Sequence, residues 1–310
     1  LASQAQRGDI EAALSTLQDM RMVGQHPDTV AYNAVLHACA RGRDGYKALD
    51  IFGEMIQFHI PRDRAAYNAT IQACCACDMH DDGSRLFNEM MANKYQGDMS
   101  IAPDIRTYTI ITQYYAAKGM IDEALTMFNG MRDEGDIEPD AKIHTALLDA
   151  CVAAAAKAET VPERIGCAER ADALLEGALA ALGVSNLQPR EIELFLTKAV
   201  TVWAVANQAS KANKALARFD QFPGVRPGPI CFAALLNMCE RRADGRGAEA
   251  VLERMAALGM TPSATFVCRA ALAHVRGGQE EAALALLERT RAGRPDLDLR
   301  SCVEFEALPA

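Results

Sequence analysis

One interval dominates this chain and limits what it can fold into. Met20, Met55 and Met90 stand 35 residues apart, and Met131 follows after 41. Tyr32 and Tyr67 keep the same spacing of 35, Tyr108 follows after 41, and His144 after 36. Two independent markers thus record one period and one insertion. The insertion must lie between Met90 and Tyr108, most simply in the polar stretch Asn93 to Ile101. A unit this short cannot bury its apolar faces alone, so copies must stack on one another.

Within each unit the apolar spacing is helical. Tyr32, Val35, Leu36 and Cys39 recur at threes and fours over Thr29 to about Ala40. Ala48, Leu49, Phe52 and Met55 do the same over about Tyr46 to Gln57. Gly42 and Gly45 punctuate the gap, and Pro61 is expected to stop the second helix, because proline breaks the hydrogen-bond ladder. The third unit repeats the scheme with Tyr108, Ile111, Ala124, Leu125, Phe128, Met131 and Pro139. The expected fold is all-α, a solenoid of stacked helix-turn-helix hairpins.

The units divide the chain as follows. Residues 1–28 supply only the second helix of an earlier repeat, and 29–63, 64–104 and 105–140 are three well-formed repeats. Residues 141–228 hold two enlarged or degenerate ones. The first has a spacer around Glu159 to Pro162 and a long second helix ending near Gly183; the other carries the only Trp, Trp203. Two more repeats occupy 229–262 and about 263–296, and 297–310 is a short tail. The reading is one array of hairpins rather than several globular domains.

Composition narrows the function classes. Half of the residues are apolar, enough for a sizeable core and too many for an intrinsically disordered chain. No apolar run is long enough to span a membrane. The net charge of -9 argues against coating nucleic acid by bulk charge, and all of the excess acid lies in the first 140 residues. Yet the windows 29–40, 64–77, 105–118 and 264–276 contain no Asp or Glu, while Arg64, Arg106, Lys118, Arg269 and Arg276 lie within them. If first helices line one face, that face is neutral to basic and the other acidic.

Cys39, Cys74, Cys151 and Cys239 sit in Ala-rich stretches and read as reduced, small hydrophobes where helices approach closely, which points to a reducing compartment. Cys74, Cys75 and Cys77 with His80 are the one grouping with metal-ligand residue types. The adjacency of the first two and the lack of a second cluster argue against zinc, so no metal and no cofactor are expected. No phosphate loop, nucleotide fingerprint or nucleophile arrangement occurs, and the expectation is a protein that is not an enzyme.

The unit resembles the pentatricopeptide repeat, a helical hairpin with Tyr32-Asn33, Ala48-Leu49, Phe52, Glu54-Met55 and a closing Asp63 in the first full copy. Here Pro61-Arg62-Asp63 stands where that family has Pro immediately before Asp. The Trp-Leu-Gly-Tyr pattern of the rival tetratricopeptide repeat is absent. The likeness is strong over 1–140, fair over 229–296 and weak over 141–228. It implies a right-handed α-solenoid that binds single-stranded RNA, one base per repeat, in a mitochondrion or plastid. The chain begins at Leu1 without an initiator Met, so we expect a processed product whose targeting segment is missing.

The resemblance also implies which residues read. They are the fifth and last of each unit: Asn33 with Asp63, Asn68 with Asp104, and Thr109 with Asp140, implying uridine, uridine and guanosine. Val30, Ala65, Arg106 and Lys142, at second positions, would pack against the base faces. Thr145 falls opposite Arg190, and later fifth positions hold Phe195, Ala233 and Val267, which cannot read a base edge by hydrogen bonding. Two alternatives stay open. Asn33 and Asn68 also suit a first helical turn, and Asp63, Asp104 and Asp140 also suit N-caps of the following helices. The whole chain could instead be a scaffold subunit of an organellar ribosome or other large assembly, holding protein rather than RNA.

Overall fold

A computed structural model describes residues 2–133, 135 and 137–294 of the chain. Among these residues every regular element is helical, as the periodicity requires; the tail 297–310 lies outside them. The helices sort into two compact units, Leu1–Ala150 and Cys151–Ala310. One uninterrupted array was the expectation. The division falls in the enlarged repeat, where helices of 17 and 22 residues replace the usual 13 or 14 and the period is lost.

The first unit contains α1 (Ala2–Arg7), α2 (Ile10–Met22), α3 (Thr29–Gly42), α4 (Gly45–Gln57), α5 (Arg64–Ala76), α6 (His80–Tyr95), α7 (Ile105–Lys118) and α8 (Ile121–Asp133), with α9 (Ala141–Lys157) beginning in it. The first helices α1, α3, α5 and α7 contact one another in succession and form one layer. Helices α2, α4, α6 and α8 flank it. Residues 1–28 thus bring two helices, not one. Gly8, at φ +71°, ends α1, and the Asp9 carboxylate caps α2 by accepting from the Ala12 amide at 3.1 Å. So short a helix leaves no periodic trace in the sequence.

Helix ends follow local chemistry. α4 closes before Pro61: His59 adopts the left-handed conformation (φ 55°), the Ile60 N–H donates to the Met55 carbonyl at 2.8 Å, and the His59 N–H donates to Ile56 at 3.1 Å. α6 reaches 16 residues where α4 and α8 have 13, so it takes up part of the insertion.

The repeat markers fill the core. Tyr32, Tyr67, Met55, Met90 and Met131 are all buried. One ring contact recurs along the stack: Phe52 meets Tyr67 edge-on at 4.8 Å, Phe87 meets Tyr108 at 5.5 Å, and Phe128 meets His144 at 5.3 Å. The tyrosine hydroxyls are anchored too. Tyr67 donates to Glu89, which pairs with Arg62 at 3.2 Å, and Arg62 lies over the Phe52 ring at 4.8 Å. Tyr32 meets Arg21, which in turn pairs with Glu54.

His144 stands where earlier repeats have Tyr, and it titrates. Burial pushes its pKa down, partly offset by the bond from its ring to the Asp140 carbonyl at 2.9 Å. The native state therefore binds its proton later than the unfolded chain does, so stability is full above the ordinary histidine range and falls as pH drops through it. Thermal melts between pH 8 and 5 should show this loss, and His144→Tyr should flatten the slope. An unchanged slope in the variant would refute the assignment to His144.

The second unit contains α10 (Val161–Leu182), α11 (Pro189–Val205), α12 (Ala209–Ala217), α13 (Pro229–Arg241), α14 (Gly245–Ala257), α15 (Ala264–Arg276) and α16 (Glu280–Gly293). Here α11, α13 and α15 stack in order, flanked by α12, α14 and α16. Trp203 is a packing residue: it is buried, its Nε1 donates to Asp172 at 3.0 Å, and Lys211 lies 4.2 Å from the ring centroid. Cys39, Cys74, Cys151 and Cys239 are free and buried, and burial raises the first three thiols to about 12 and Cys239 to about 11. Cys268 is disulfide-bonded.

Candidate nucleic-acid interface

The candidate site residues lie on, or just before, α3, α5, α7 and α9. Asp28, Asp63 and Asp104 each precede a first helix, in extended backbone, and each accepts the amide three residues on: Ala31 at 2.9 Å, Ala66 at 2.8 Å and Thr107 at 2.9 Å. These are N-caps, which answer the orphan amides of a first turn. Asp63 and Asp104 do a second thing. Asn33 Nδ2 donates to both oxygens of Asp63 at 3.1 Å, and Asn68 Nδ2 donates to Asp104 Oδ1 at 3.3 Å. One Asp thus caps the next helix and holds the asparagine of the preceding one.

The third pair is different. Thr109 turns its hydroxyl back onto the Ile105 carbonyl at 2.7 Å, and Asp140 accepts the Lys142 and Ile143 amides at 3.0 Å. No hydrogen bond between Thr109 and Asp140 occurs among the described residues. A threonine hydroxyl is too short to cross the gap that an asparagine amide spans, and a helical carbonyl competes for it. Thr145 repeats the back-bond, to Ala141 at 2.8 Å. At the second positions Val30 is 74% exposed, Arg106 and Lys142 are exposed, and Ala65 is half-buried. Of the later fifth positions, Phe195 and Val267 are buried in their own unit.

An open cavity of about 470 Å³ runs along the α1, α3, α5, α7 layer, lined by Gln6, Val30, Asn33, His37, Arg41, Gln72 and Arg106 together with small alanines. Among the described residues no carboxylate lines it. Its charge is cationic: Arg41 and Arg106 face it, and Arg41 also donates to the Gln6 carbonyl at 2.7 Å. His37 stays neutral, its pKa lowered by burial and by the two arginines. Gln6, His37, Arg41 and Gln72 escaped sequence reading, although His37 and Arg41 follow Asn33 at intervals of four.

A model of the PPR repeat family matches residues 27–75, and the PPR repeat model matches residues 65–95 and 106–136. Residues 27–95 and 106–136 are thus similar to pentatricopeptide repeats. Two relatives from Arabidopsis thaliana are themselves named pentatricopeptide repeat-containing proteins. One is 32% identical over 124 residues, covering 40% of this chain and 18% of the relative. The other, named mitochondrial, is 26% identical over 147 residues, covering 47% and 20%. The chain spans about a fifth of their length. The crystal structure of the pentatricopeptide repeat protein PPR10 from maize aligns with 93% of the chain and 42% of its own, at 20% identity and a TM-score of 0.51. It supports the solenoid architecture.

Proposed function

We propose that this protein binds single-stranded RNA with sequence preference, one base per repeat over residues 29–140, in organellar RNA processing, stability or translation. The observation that carries this reading is the Asn33–Asp63 pair. It borders an open, carboxylate-free, cationic cavity on the layer of first helices, in a protein whose net charge is -9. Segregating charge in this way leaves the phosphate backbone an attractive path. With its amide committed to Asp63, Asn33 has a carbonyl oxygen left without a partner; it is buried, on a half-exposed side chain that lines the cavity, and a splayed base that displaced its covering neighbours would meet an acceptor there. A mitochondrion or plastid as the location belongs to the same reading, supported by the relative named mitochondrial.

The test is fluorescence anisotropy at two salt concentrations, with a short RNA containing UUG and a scrambled control. Preferential binding that weakens with salt, and a loss of that preference of roughly ten-fold in Asn33→Ala, is the expected result; such a factor corresponds to about 1.4 kcal/mol. Binding indifferent to sequence and to Asn33 would refute base reading. It would favour the second reading, a scaffold for protein partners. The observation behind that reading is specific to residues 151–294. There the fifth-position Phe195 and Val267 are buried and offer a base nothing.

A further inference from the structure

Two repeats carry the same reading pair, Asn followed by Asp, yet their asparagines are held differently. Asn33 donates to Asp63 from Nδ2, and its Oδ1 has no hydrogen-bond partner. Asn68 donates to Asp104 from Nδ2, but its Oδ1 accepts the Thr107 hydroxyl at 2.7 Å. One residue makes the difference. The third residue after the capping Asp is Ala66 in the first case and Thr107 in the second. Ala66 has nothing to donate. Thr107 is fully buried, and its oxygen accepts the Asp104 N–H at 3.1 Å, which aims the hydroxyl hydrogen away from that amide.

An asparagine whose amide nitrogen is committed to a carboxylate can offer a base only its Oδ1, an acceptor. It therefore prefers a base that presents a ring N–H, such as uracil, over cytosine, whose ring nitrogen at the same place is an acceptor. Asn33 makes that offer with an unpaired oxygen that is buried, but on a half-exposed side chain lining the cavity, so a base has packing and no hydrogen bond to displace. Asn68, 2% exposed, makes it with an oxygen already occupied. A base facing Asn68 must displace a good hydrogen bond. The displaced hydroxyl has somewhere to go, because Asp104 Oδ1 lies 3.0 Å away. The contact therefore attenuates reading without blocking it.

We propose that Thr107 is a specificity-determining residue that weakens base discrimination at the Asn68 position, so that Asn33 carries most of the sequence selectivity of residues 29–104. The inference rests on the RNA-reading function above. The experiment measures Kd of the full chain for UUG, CUG and UCG RNAs in identical flanks, using the wild type, Thr107→Ala, Thr107→Ser and Ala66→Ser. In the wild type, changing U to C opposite Asn33 should weaken binding roughly ten-fold, and opposite Asn68 roughly two-fold, since a hydrogen bond nets about 1 kcal/mol. Thr107→Ala should raise the second factor to match the first. Thr107→Ser keeps the hydroxyl and should behave as wild type. Ala66→Ser installs a donor beside Asn33 and should lower the first factor, which tests the idea even if Thr107→Ala fails to fold. Discrimination opposite Asn33 that persists while Thr107→Ala and Ala66→Ser change neither ratio would overturn the role of Thr107 and leave RNA reading standing. Equal discrimination at both positions in the wild type would do the same. No discrimination anywhere, in any variant, would overturn the reading itself and this proposal with it.

Discussion

Asp104→Ala should lower the unfolding free energy by about 2–3 kcal/mol, from a lost N-cap and from buried partners left unpaired. The carboxylate accepts the Thr107 amide at 2.9 Å and the Asn68 amide at 3.3 Å, with the Thr107 hydroxyl oxygen 3.0 Å away and Arg64 at 3.8 Å. Asn68 and Thr107 are buried, so neither can turn to water for a replacement. Burial works to raise the Asp104 pKa, but the bonds from Thr107 and Asn68 outweigh it and hold the carboxyl below its ordinary range. Stability from this group is therefore present above the unfolded-state pKa and fades as pH falls through the lower, folded one. Asp104→Asn, which retains a capping oxygen, should cost far less. Chemical denaturation at pH 7 separates the cases, and equal losses in the two variants would contradict the account.

Gly245→Ala should be as damaging in the second unit, by about 2–4 kcal/mol, as an overpacked contact with buried hydrogen bonds behind it. A Cβ there would lie 2.1 Å from His274 Nδ1. His274 cannot give way cheaply: it is 2% exposed and fixed by Gln279 at 2.9 Å and Glu249 at 2.8 Å. Glu249 is itself tied to Arg289 at 2.9 Å. Gly45 starts α4 at the equivalent place, and there the added carbon would meet the Met79 sulfur at 2.6 Å, the end of a flexible side chain. Gly45→Ala should be the milder change. Pairing Gly245→Ala with His274→Ala should recover part of the loss in a double-mutant cycle, and strict additivity would rule out the clash.

Both predictions concern contacts that the sequence shows only in part. The hairpins were legible because helical spacing and a fixed period are local and repeated, and Tyr32, Tyr67, Met55 and Met90 indeed lie in the core. The caps were legible too, since an Asp before a first helix needs only its own next three residues. What could not be read was geometry between helices. Asn33 meets Asp63 across 30 residues and Thr107 meets Asn68 across 39, contacts that exist only once one hairpin has docked on the next. Thr109 and Asp140 show the converse. Their residue types fit the pattern, but side-chain length decided against a bond. The left-handed turn at His59 was hidden behind Pro61, which made a more obvious stop.

The double duty of Asp63 and Asp104 changes where one hairpin of this protein can be cut out and grafted into another. A splice at the numerical repeat boundary, after Asp63, would keep Asn33 with its partner but hand the next helix a foreign cap. A splice before Asp63 would do the reverse. The exchangeable cassette is offset, from Asn33 through Tyr67 in one copy and from Asn68 through Tyr108 in the next. Its ends lie inside helices, where backbone continuity is already assured. A chimera built on that frame carries each asparagine together with its carboxylate and with the third residue of the helix that the carboxylate caps.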